Sequence, residues 1–245
     1  KVYPADSINN YLHPDDADSL WNILSKPTED GYNSVLLARI KFGDAYRWNS
    51  VSFKPIFADS GIVKSIIISA IDINEEYERE LQLKRMAETD AKTGMKNESA
   101  FEIEVTQRLK KMSGKERGIF AMLDVDGFKM INDIYGHMIG DDVLVIIGNA
   151  IKRGIRSSDI ASRLHGDEFS IWLDGMDSKG FAIATIQRIN DLIEEEARKK
   201  EKPIARVSAG FAVATPGSTY PTLYQRADKA LYFSKEKRLL CTEAT

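Results

Sequence analysis

Three acidic residues in two separate segments of the chain are the best candidates for chemistry. Asp124 interrupts an apolar run from Ile119 to Val125 that is typical of a buried strand, and Asp167 and Glu168 occupy a short turn between two further strand-like runs. A carboxylate at the end of a buried strand is costly unless it is paired, protonated or bound to a metal. If the turn lies beside that strand end, we expect the carboxylates to bind Mg²⁺ or Mn²⁺, which relieves their repulsion. The turn alone is more typical of a solvated hairpin.

The segment after Asp124 carries residues suited to phosphates and to a base. Gly127 lets the backbone approach an anion closely, and Lys129 adds a positive charge. Asn132 and Asp141 could recognise guanine, because a carboxylate accepts from neighbouring N–H groups and an amide both donates and accepts. Taken singly, Asp141 is more typical of a residue at a helix N-terminus and Asn132 of a turn.

The pattern of apolar residues divides the chain into two regions. Residues 1 to about 72 are predicted to form a short helix followed by antiparallel strands, and residues 74–89, rich in Glu, Lys and Arg, a connecting helix. The sparse apolar positions of that helix leave both a coiled coil and a single solvated helix open. Beyond Asp90, helices and strands alternate, which predicts a sheet covered by helices.

The expected elements of both regions follow from periodicity and turn residues. The predicted strands are 35–42, 46–57, 62–73, 119–125, 160–164, 169–173 and 204–214, and the predicted helices of the second region are 101–112, 141–155, 181–196 and 220–235.

Composition excludes several classes of protein. The 245 residues include 34 Lys and Arg against 37 Asp and Glu, a net charge of −3, so bulk charge gives no attraction for nucleic acid. The 43% hydrophobic content argues against disorder. The single cysteine, Cys241, precludes an intramolecular disulfide and favours a reducing, cytoplasmic location. No apolar run is long enough to span a bilayer, which leaves a membrane anchor open only upstream of Lys1.

Five sequence blocks occur in an order that resembles the GGDEF diguanylate cyclase family of bacteria. They are DVDGFKMIND, YGHMIGD, RLHGDEF, VSAGF and ADKALYFSK, and together with the preceding DAKTGMKN they extend from Asp90 to about Lys237. In that first motif, Lys92 and Met95 stand where the family usually has leucine.

The resemblance implies a palm-like sheet that condenses two GTP molecules into cyclic di-GMP and two pyrophosphates with Mg²⁺. Each domain of the family holds one GTP, so the implied enzyme is a homodimer. The implied roles are metal binding by Asp124, the Val125 carbonyl, Asp167 and Glu168, guanine binding by Asn132 and Asp141, and phosphate binding by Lys129, Lys235 and the backbone of Gly127 and Phe128. Glu168 is also a candidate for assisting deprotonation of the 3′-hydroxyl. The resemblance counts Lys129 among the catalytic residues, together with the three carboxylates.

A second nucleotide site is implied by Arg156 and Asp159, which resemble the family's Arg-x-x-Asp product-inhibition motif. Arginine binds phosphate or guanine acceptors through two hydrogen bonds, and the aspartate takes guanine donors. Without the family context, the pair is more typical of a surface ion pair.

Residues 1–73 resemble the later part of a PAS sensor domain, on the evidence of HPDD at 13–16, YRW at 46–48 and DINE at 72–75. No cofactor is predicted for this part. The expected fold class is therefore α+β, with a partial PAS-like domain at 1–73, a connecting helix at 74–89 and a GGDEF domain at 90–245.

Two departures from the family pattern bear on activity. His165 replaces the first glycine of the signature hairpin, where glycine would permit a positive φ or a close approach of the nucleotide. Arg238-Leu239-Leu240 replace Gly-Arg-Asn, so Arg238 is expected to act as the phosphate-binding arginine from one position away. The two resulting hypotheses are a sensor-controlled diguanylate cyclase and a catalytically degenerate receptor for GTP or cyclic di-GMP.

Overall fold

The computed structural model describes residues 10–24, 35–61 and 63–244. The chain separates into two compact units, Lys1–Lys84 and Arg85–Thr245. An antiparallel sheet occupies the first unit and a mixed α/β sandwich the second, which confirms the predicted fold class. No helix among the described residues is long and apolar enough to cross a bilayer.

The N-terminal unit is a three-stranded meander with a helix on one face. A 3₁₀ turn at Pro14–Asp16 leads into α1 (Ala17–Leu24), and β1 (Val35–Phe42), β2 (Ala45–Phe57) and β3 (Val63–Asp72) pair antiparallel in that order. Alternate strand residues enter a small core: Ala38, Val51 and Phe53 pack with Leu12 and Leu20. Ile62, predicted to open the third strand, lies outside the described residues, and the PAS-like assignment stays a prediction.

The connecting helix forms as predicted. Helix α2 (Asn74–Glu88) begins where the Asp72 carboxylate accepts the Asn74 amide at 3.0 Å. It contains no buried residue, in keeping with its run of charged side chains.

The C-terminal unit contains a five-stranded sheet in the order β5-β6-β4-β7-β8, antiparallel except for the parallel β7–β8 pair. Its elements are α3 (Glu98–Lys111), β4 (Gly118–Val125), α4 (Phe128–Tyr135), α5 (His137–Gly154), β5 (Ile160–His165), β6 (Glu168–Asp174), α6 (Lys179–Lys199), β7 (Val207–Ala214), α7 (Tyr220–Glu236) and β8 (Cys241–Glu243).

Strand β4 lies at the centre of the sheet and is apolar because helices cover both of its faces. Ile119, Ala121, Leu123 and Val125 join the core that includes α5 and α6. The alternate residues Phe120 and Met122 pack with α3 and α7. Burial on both faces explains why the sequence shows a continuous apolar run here rather than alternation.

Helix α7 lies unusually close to the sheet at Gly210 of β7. A Cβ there would stand 2.0 Å from the Leu231 amide nitrogen and 2.3 Å from the Ala227 carbonyl oxygen. Only glycine permits this approach. The contact holds the last turn of α7, which carries Lys235, over the end of the sheet.

Four features of this unit differ from the sequence-based expectation. Helix α4 was not predicted, because its eight residues between Gly127 and Gly136 are too few for periodicity to show. Helix α5 begins at His137, so Asp141 lies in its second turn rather than at its start. Strand β7 begins at Val207, not at residue 204, and β8 was missed because it has only three residues.

Candidate active site

The fold brings the three predicted acidic residues together. Asp124 near the end of β4 is the register partner of Glu168 at the start of β6. The amide of Val125 donates to the Asp167 carbonyl at 3.3 Å, so the β5–β6 turn is held against the end of β4. Pairing of β4 with β6 therefore positions all three residues, although more than 40 residues separate Asp124 from the other two in sequence.

Burial and mutual repulsion make this carboxylate pair costly to ionise. The Asp124 side chain is only 14% exposed, and its burial raises its pKa, reinforced by Asp167 and Asp126 and opposed by the ammonium of Lys235. Burial also raises the pKa of Glu168, with the charges of Asp124 and Asp167 adding to the effect. A bound cation would stabilise the ionised form of both carboxylates.

Lys235 supplies one such cation. Its Nζ forms an ion pair with Oδ1 of Asp124, and the described residues offer that buried oxygen no other hydrogen-bond donor. Within 10–24, 35–61 and 63–244, no three His, Cys, Asp or Glu side chains converge closely enough to form a complete metal cage. The donors at the strand end are nevertheless all oxygens, which suit Mg²⁺ or Mn²⁺. The buried Oδ1 of Asp124 could bind a metal if the Lys235 ammonium moved away from it. The residues therefore fit a divalent cation that takes part of its coordination from elsewhere.

His165 contacts the predicted catalytic glutamate. Its Nε2 lies 3.3 Å from Oε2 of Glu168, and the imidazole is 62% exposed. The left-handed backbone of the hairpin is at Gly166, with φ +52°, and not at His165. The left-handed conformation that favours glycine is thus found at position 166, and the imidazole of His165 opposes the rise in the Glu168 pKa.

The turn between β4 and α4 is shaped for an anion. Gly127 caps α4 with φ +67°, a conformation that other residues adopt only with strain, and it provides no side chain to cap the first amides of the helix. Phe128 and the exposed Lys129 open the helix. The preceding Asp126 fixes the turn, because its amide donates to the Arg206 carbonyl at 2.9 Å and its carboxylate accepts the Ser208 hydroxyl at 2.8 and 3.1 Å.

The two residues predicted to bind guanine lie on adjacent helices. Asn132 of α4 packs over Gly140 of α5, where a Cβ would stand 1.9 Å from the Asn132 Oδ1 atom. Asp141 follows directly, and its carboxylate forms an ion pair with Lys92 from the loop before α3. The structure therefore brings Asn132 and Asp141 into the same neighbourhood and adds Lys92.

A cavity of about 620 Å³ adjoins the turn that precedes α4. Gly127, Lys235 and Arg238 line it, together with Arg206 from the start of β7. Arg238 adopts φ +53°, the left-handed conformation for which the family's glycine is suited. The predicted phosphate-binding residues at 127, 235 and 238 thus share one cavity.

The predicted product-binding pair lies elsewhere, in the turn before β5. Asp159 is buried, and its two oxygens accept the amides of Arg156 at 2.8 Å and of Asp174 at 2.9 Å. The exposed Arg156 guanidinium lies 4.9 Å from the centre of the Phe181 ring. The structure thus gives Asp159 a role in holding the turn and leaves Arg156 accessible.

Sequence reasoning assigned no role to three residues that position the site. Arg163 joins Asp90 to the Gly166 carbonyl, Gly140 makes room for Asn132, and Lys92 pairs with Asp141. Arg163 and Gly140 lie within recognised blocks, and Lys92 is a departure from the family pattern. Nothing in their residue types revealed their partners.

Comparison with known proteins identifies the family of the C-terminal unit. The sequence matches the family described as "Diguanylate cyclase, GGDEF domain" over residues 87–239. The chain belongs to the GGDEF family. Its C-terminal unit is therefore a nucleotidyl cyclase-type domain, as the five blocks predicted.

Individual relatives bear different names. Diguanylate cyclase A of Treponema denticola is 32% identical over 186 residues, which is 73% of this chain and 48% of that protein. Cyclic di-GMP phosphodiesterase PdeR of Escherichia coli is 30% identical over 189 residues, which is 75% of this chain and 28% of that protein. The chain spans between 26% and 48% of the length of the first curated relatives it matches.

A solved structure shows the same fold. The coiled coil and GGDEF domain of DgcB from Caulobacter crescentus, in complex with c-di-GMP, superposes with a TM-score of 0.63 at 28% identity, covering 70% of this chain and 93% of that one.

Proposed function

We propose that this protein is a diguanylate cyclase that condenses two GTP molecules into cyclic di-GMP and two pyrophosphates, using Mg²⁺ or Mn²⁺, across a homodimer. The observation that carries the proposal is the meeting of Asp124, Asp167 and Glu168 at one strand end, beside Lys235. The family match supports the reaction class.

The reaction is an in-line phosphoryl transfer, in which positioning and neutralisation of charge supply most of the rate. The 3′-oxygen of one GTP attacks the α-phosphorus of the other, and the bond from that phosphorus to the bridging oxygen of pyrophosphate breaks. Glu168 would accept the hydroxyl proton, and its raised pKa makes its carboxylate a stronger base for this task. A second transfer in the opposite sense, from the remaining 3′-oxygen to the remaining α-phosphorus, releases the second pyrophosphate and closes the ring.

Binding divides between two groups of residues. Asn132 and Asp141 would orient guanine, while the amides of Gly127 and Phe128 would hold the phosphates together with Lys129, Lys235 and Arg238. The cavity that Gly127, Lys235 and Arg238 share supports this role. The metal would be held by Asp124, Asp167, Glu168 and the Val125 carbonyl, with water and phosphate oxygens completing its coordination. When bound, it supplies charge neutralisation and activation of the attacking hydroxyl.

Incubation of the purified full chain with GTP and Mg²⁺ or Mn²⁺ tests the proposal. Cyclic di-GMP detected by mass spectrometry, and lost in Asp124→Asn, supports it. Absence of product from a folded, dimeric sample overturns it.

The alternative is a catalytically degenerate domain that binds GTP or cyclic di-GMP as a receptor. The contact of His165 with Glu168 favours it, because the imidazole competes for the carboxylate that would serve catalysis. Ligand binding without turnover at any pH would establish this alternative.

For the remainder of the chain, we propose that residues 1–73 form a PAS-like sensor domain, that residues 74–89 connect it to the GGDEF domain of residues 90–245, and that the protein works in the bacterial cytoplasm. Of the predicted product-binding pair, the exposed Arg156 is proposed to bind cyclic di-GMP as a feedback inhibitor, while the buried Asp159 holds the turn that presents it. Activity that changes on deletion of residues 1–73, and inhibition lost in Arg156→Ala, are the corresponding tests.

A further inference from the structure

Three cationic side chains line the cavity beside the turn that precedes α4. Lys235 comes from the last turn of α7, Arg238 from the connection to β8, and Arg206 from the residue before β7. One carboxylate, that of Asp126, also lines the cavity, and it is engaged by the Ser208 hydroxyl. Lys235 is also paired with Asp124, so the two arginines carry the excess of positive charge at this wall, which favours an anion.

The backbone fixes Arg206 at the rim of the cavity. Its carbonyl accepts the Asp126 amide at 2.9 Å, which ties it to the residue before Gly127. The next residue, Val207, exchanges two hydrogen bonds of 2.8 and 3.0 Å with the buried side chain of Asn190. Arg206 is thus anchored on both sides, while its side chain is 70% exposed.

The side chain of Arg206 is only loosely engaged by protein. Its Nη2 lies 3.7 Å from Oε2 of Glu194, whereas Arg198 holds the other oxygen of the same glutamate at 2.6 Å. Glu194 would therefore retain a close partner if Arg206 turned to a ligand.

Arg238-Leu239-Leu240 stand where the family resemblance implies Gly-Arg-Asn, and Arg238 adopts the left-handed conformation. Two guanidinium groups therefore reach the cavity from the two ends of the β7–α7 segment, Arg206 before β7 and Arg238 after α7.

We propose that Arg206 is a phosphate-binding residue that contacts the terminal phosphates of GTP, the part that leaves as pyrophosphate. The inference rests on the proposed function and deepens it. A guanidinium binds phosphate oxygens through paired hydrogen bonds, and Gly127, the residue that caps α4, lines the same cavity. Arg206 would thereby act together with Lys235 and Arg238 on the phosphates.

Calorimetric titration of the full chain with two ligands tests this inference. The first is 3′-deoxyguanosine 5′-triphosphate with Mg²⁺, which cannot react, and the second is guanosine 5′-monophosphate, which lacks the terminal phosphates. We expect Arg206→Gln to weaken binding of the triphosphate about tenfold and to leave monophosphate binding unchanged. Arg206→Lys should retain part of the affinity, because it keeps the charge.

Arg198→Gln is the matched control, because Arg198 is equally exposed and contacts the same Glu194 but does not line the cavity. Thermal unfolding of each variant verifies folding. Equal triphosphate affinity in Arg206→Gln and Arg198→Gln overturns the inference while leaving the cyclase proposal intact, as does equal weakening for both ligands. A wild-type chain that binds no triphosphate overturns both proposals.

Discussion

Arg163 donates through Nη1 to both carboxylate oxygens of Asp90, at 3.1 Å each. The same guanidinium donates through Nε and Nη2 to the carbonyl of Gly166, at 2.9 and 2.6 Å. A nearly buried arginine thus connects the loop after α2 to the hairpin that carries Asp167 and Glu168. The position of the turn that carries Asp167 and Glu168 therefore depends on the contacts of Arg163.

The Asp90–Arg163 pair predicts a pH-dependent contribution to stability. Burial acts to raise the pKa of Asp90, but hydrogen bonds from Thr93 and Arg163 outweigh it and hold that pKa below its usual value. The stabilisation is therefore present above the usual aspartate pKa and is lost as the pH falls through the lowered one. We expect Asp90→Asn to lower the free energy of unfolding by about 2 kcal/mol at pH 7, measured by urea denaturation.

The difference between wild type and Asp90→Asn should shrink on acidification. A difference that persists unchanged at pH 3 would contradict an electrostatic origin.

Lys92 predicts a second effect, on substrate affinity. Its ammonium pairs with the Asp141 carboxylate. Under the proposed function, the same carboxylate accepts hydrogen bonds from the N–H groups of guanine. We expect Lys92→Leu to lower the KM for GTP by up to about fivefold, because an exposed ion pair is weak but competes directly. Lys199→Leu, which removes a similarly exposed lysine from Glu195, serves as the control. A raised KM in Lys92→Leu would show instead that the lysine assists binding.

His165 predicts a shift in the pH–rate profile. Its charge opposes the rise in the Glu168 pKa, so removal of the imidazole should raise that pKa further. The acidic limb of kcat/KM for His165→Gly should therefore move to higher pH, as a Glu168 carboxylate must be ionised to accept a proton. Initial rates measured from pH 5 to 9 provide the profile. An unchanged limb would mean that Glu168 does not control it.

Replacement of Glu168 is expected to raise stability and to lower activity. Because burial raises its pKa, the ionised form is disfavoured in the fold, and the stability that the protonated form contributes is lost as the pH rises through that pKa. Glu168→Gln should therefore unfold at a higher temperature than wild type at neutral pH, with an advantage that disappears in acid. Its turnover should fall about 10²- to 10³-fold. Thermal scans at several pH values, with activity assays, measure both.

The product-binding motif predicts different outcomes for its two members. Asp159 accepts two backbone amides while buried, so Asp159→Ala should destabilise the domain by about 2 kcal/mol whatever the ligand. Arg156 is exposed, so Arg156→Ala should leave the unfolding free energy nearly unchanged and relieve inhibition by cyclic di-GMP. Denaturation and inhibition curves distinguish the two. Full inhibition of Arg156→Ala would remove this residue from the product site.

The sequence predicted those features that are local or repeated along the chain. Strand β4 followed from a continuous apolar run and the covering helices from periodicity, and Asp124 stood out because an acid interrupts an apolar strand. Helix α4 was missed because eight residues between two glycines show no period. Lys92–Asp141 and Arg163–Asp90 join positions 49 and 73 residues apart, and only the assembled sheet reveals such pairs.

The contact between Asn132 and Gly140 has an implication for how ligand preference can drift in this lineage. Gly140 lies where α4 and α5 pack, yet any larger side chain there must displace the Asn132 amide that is proposed to bind guanine. Mutations where α4 packs on α5 could therefore change how the protein discriminates among purines. A chain could lose its choice of nucleotide while every ligand-facing residue is kept.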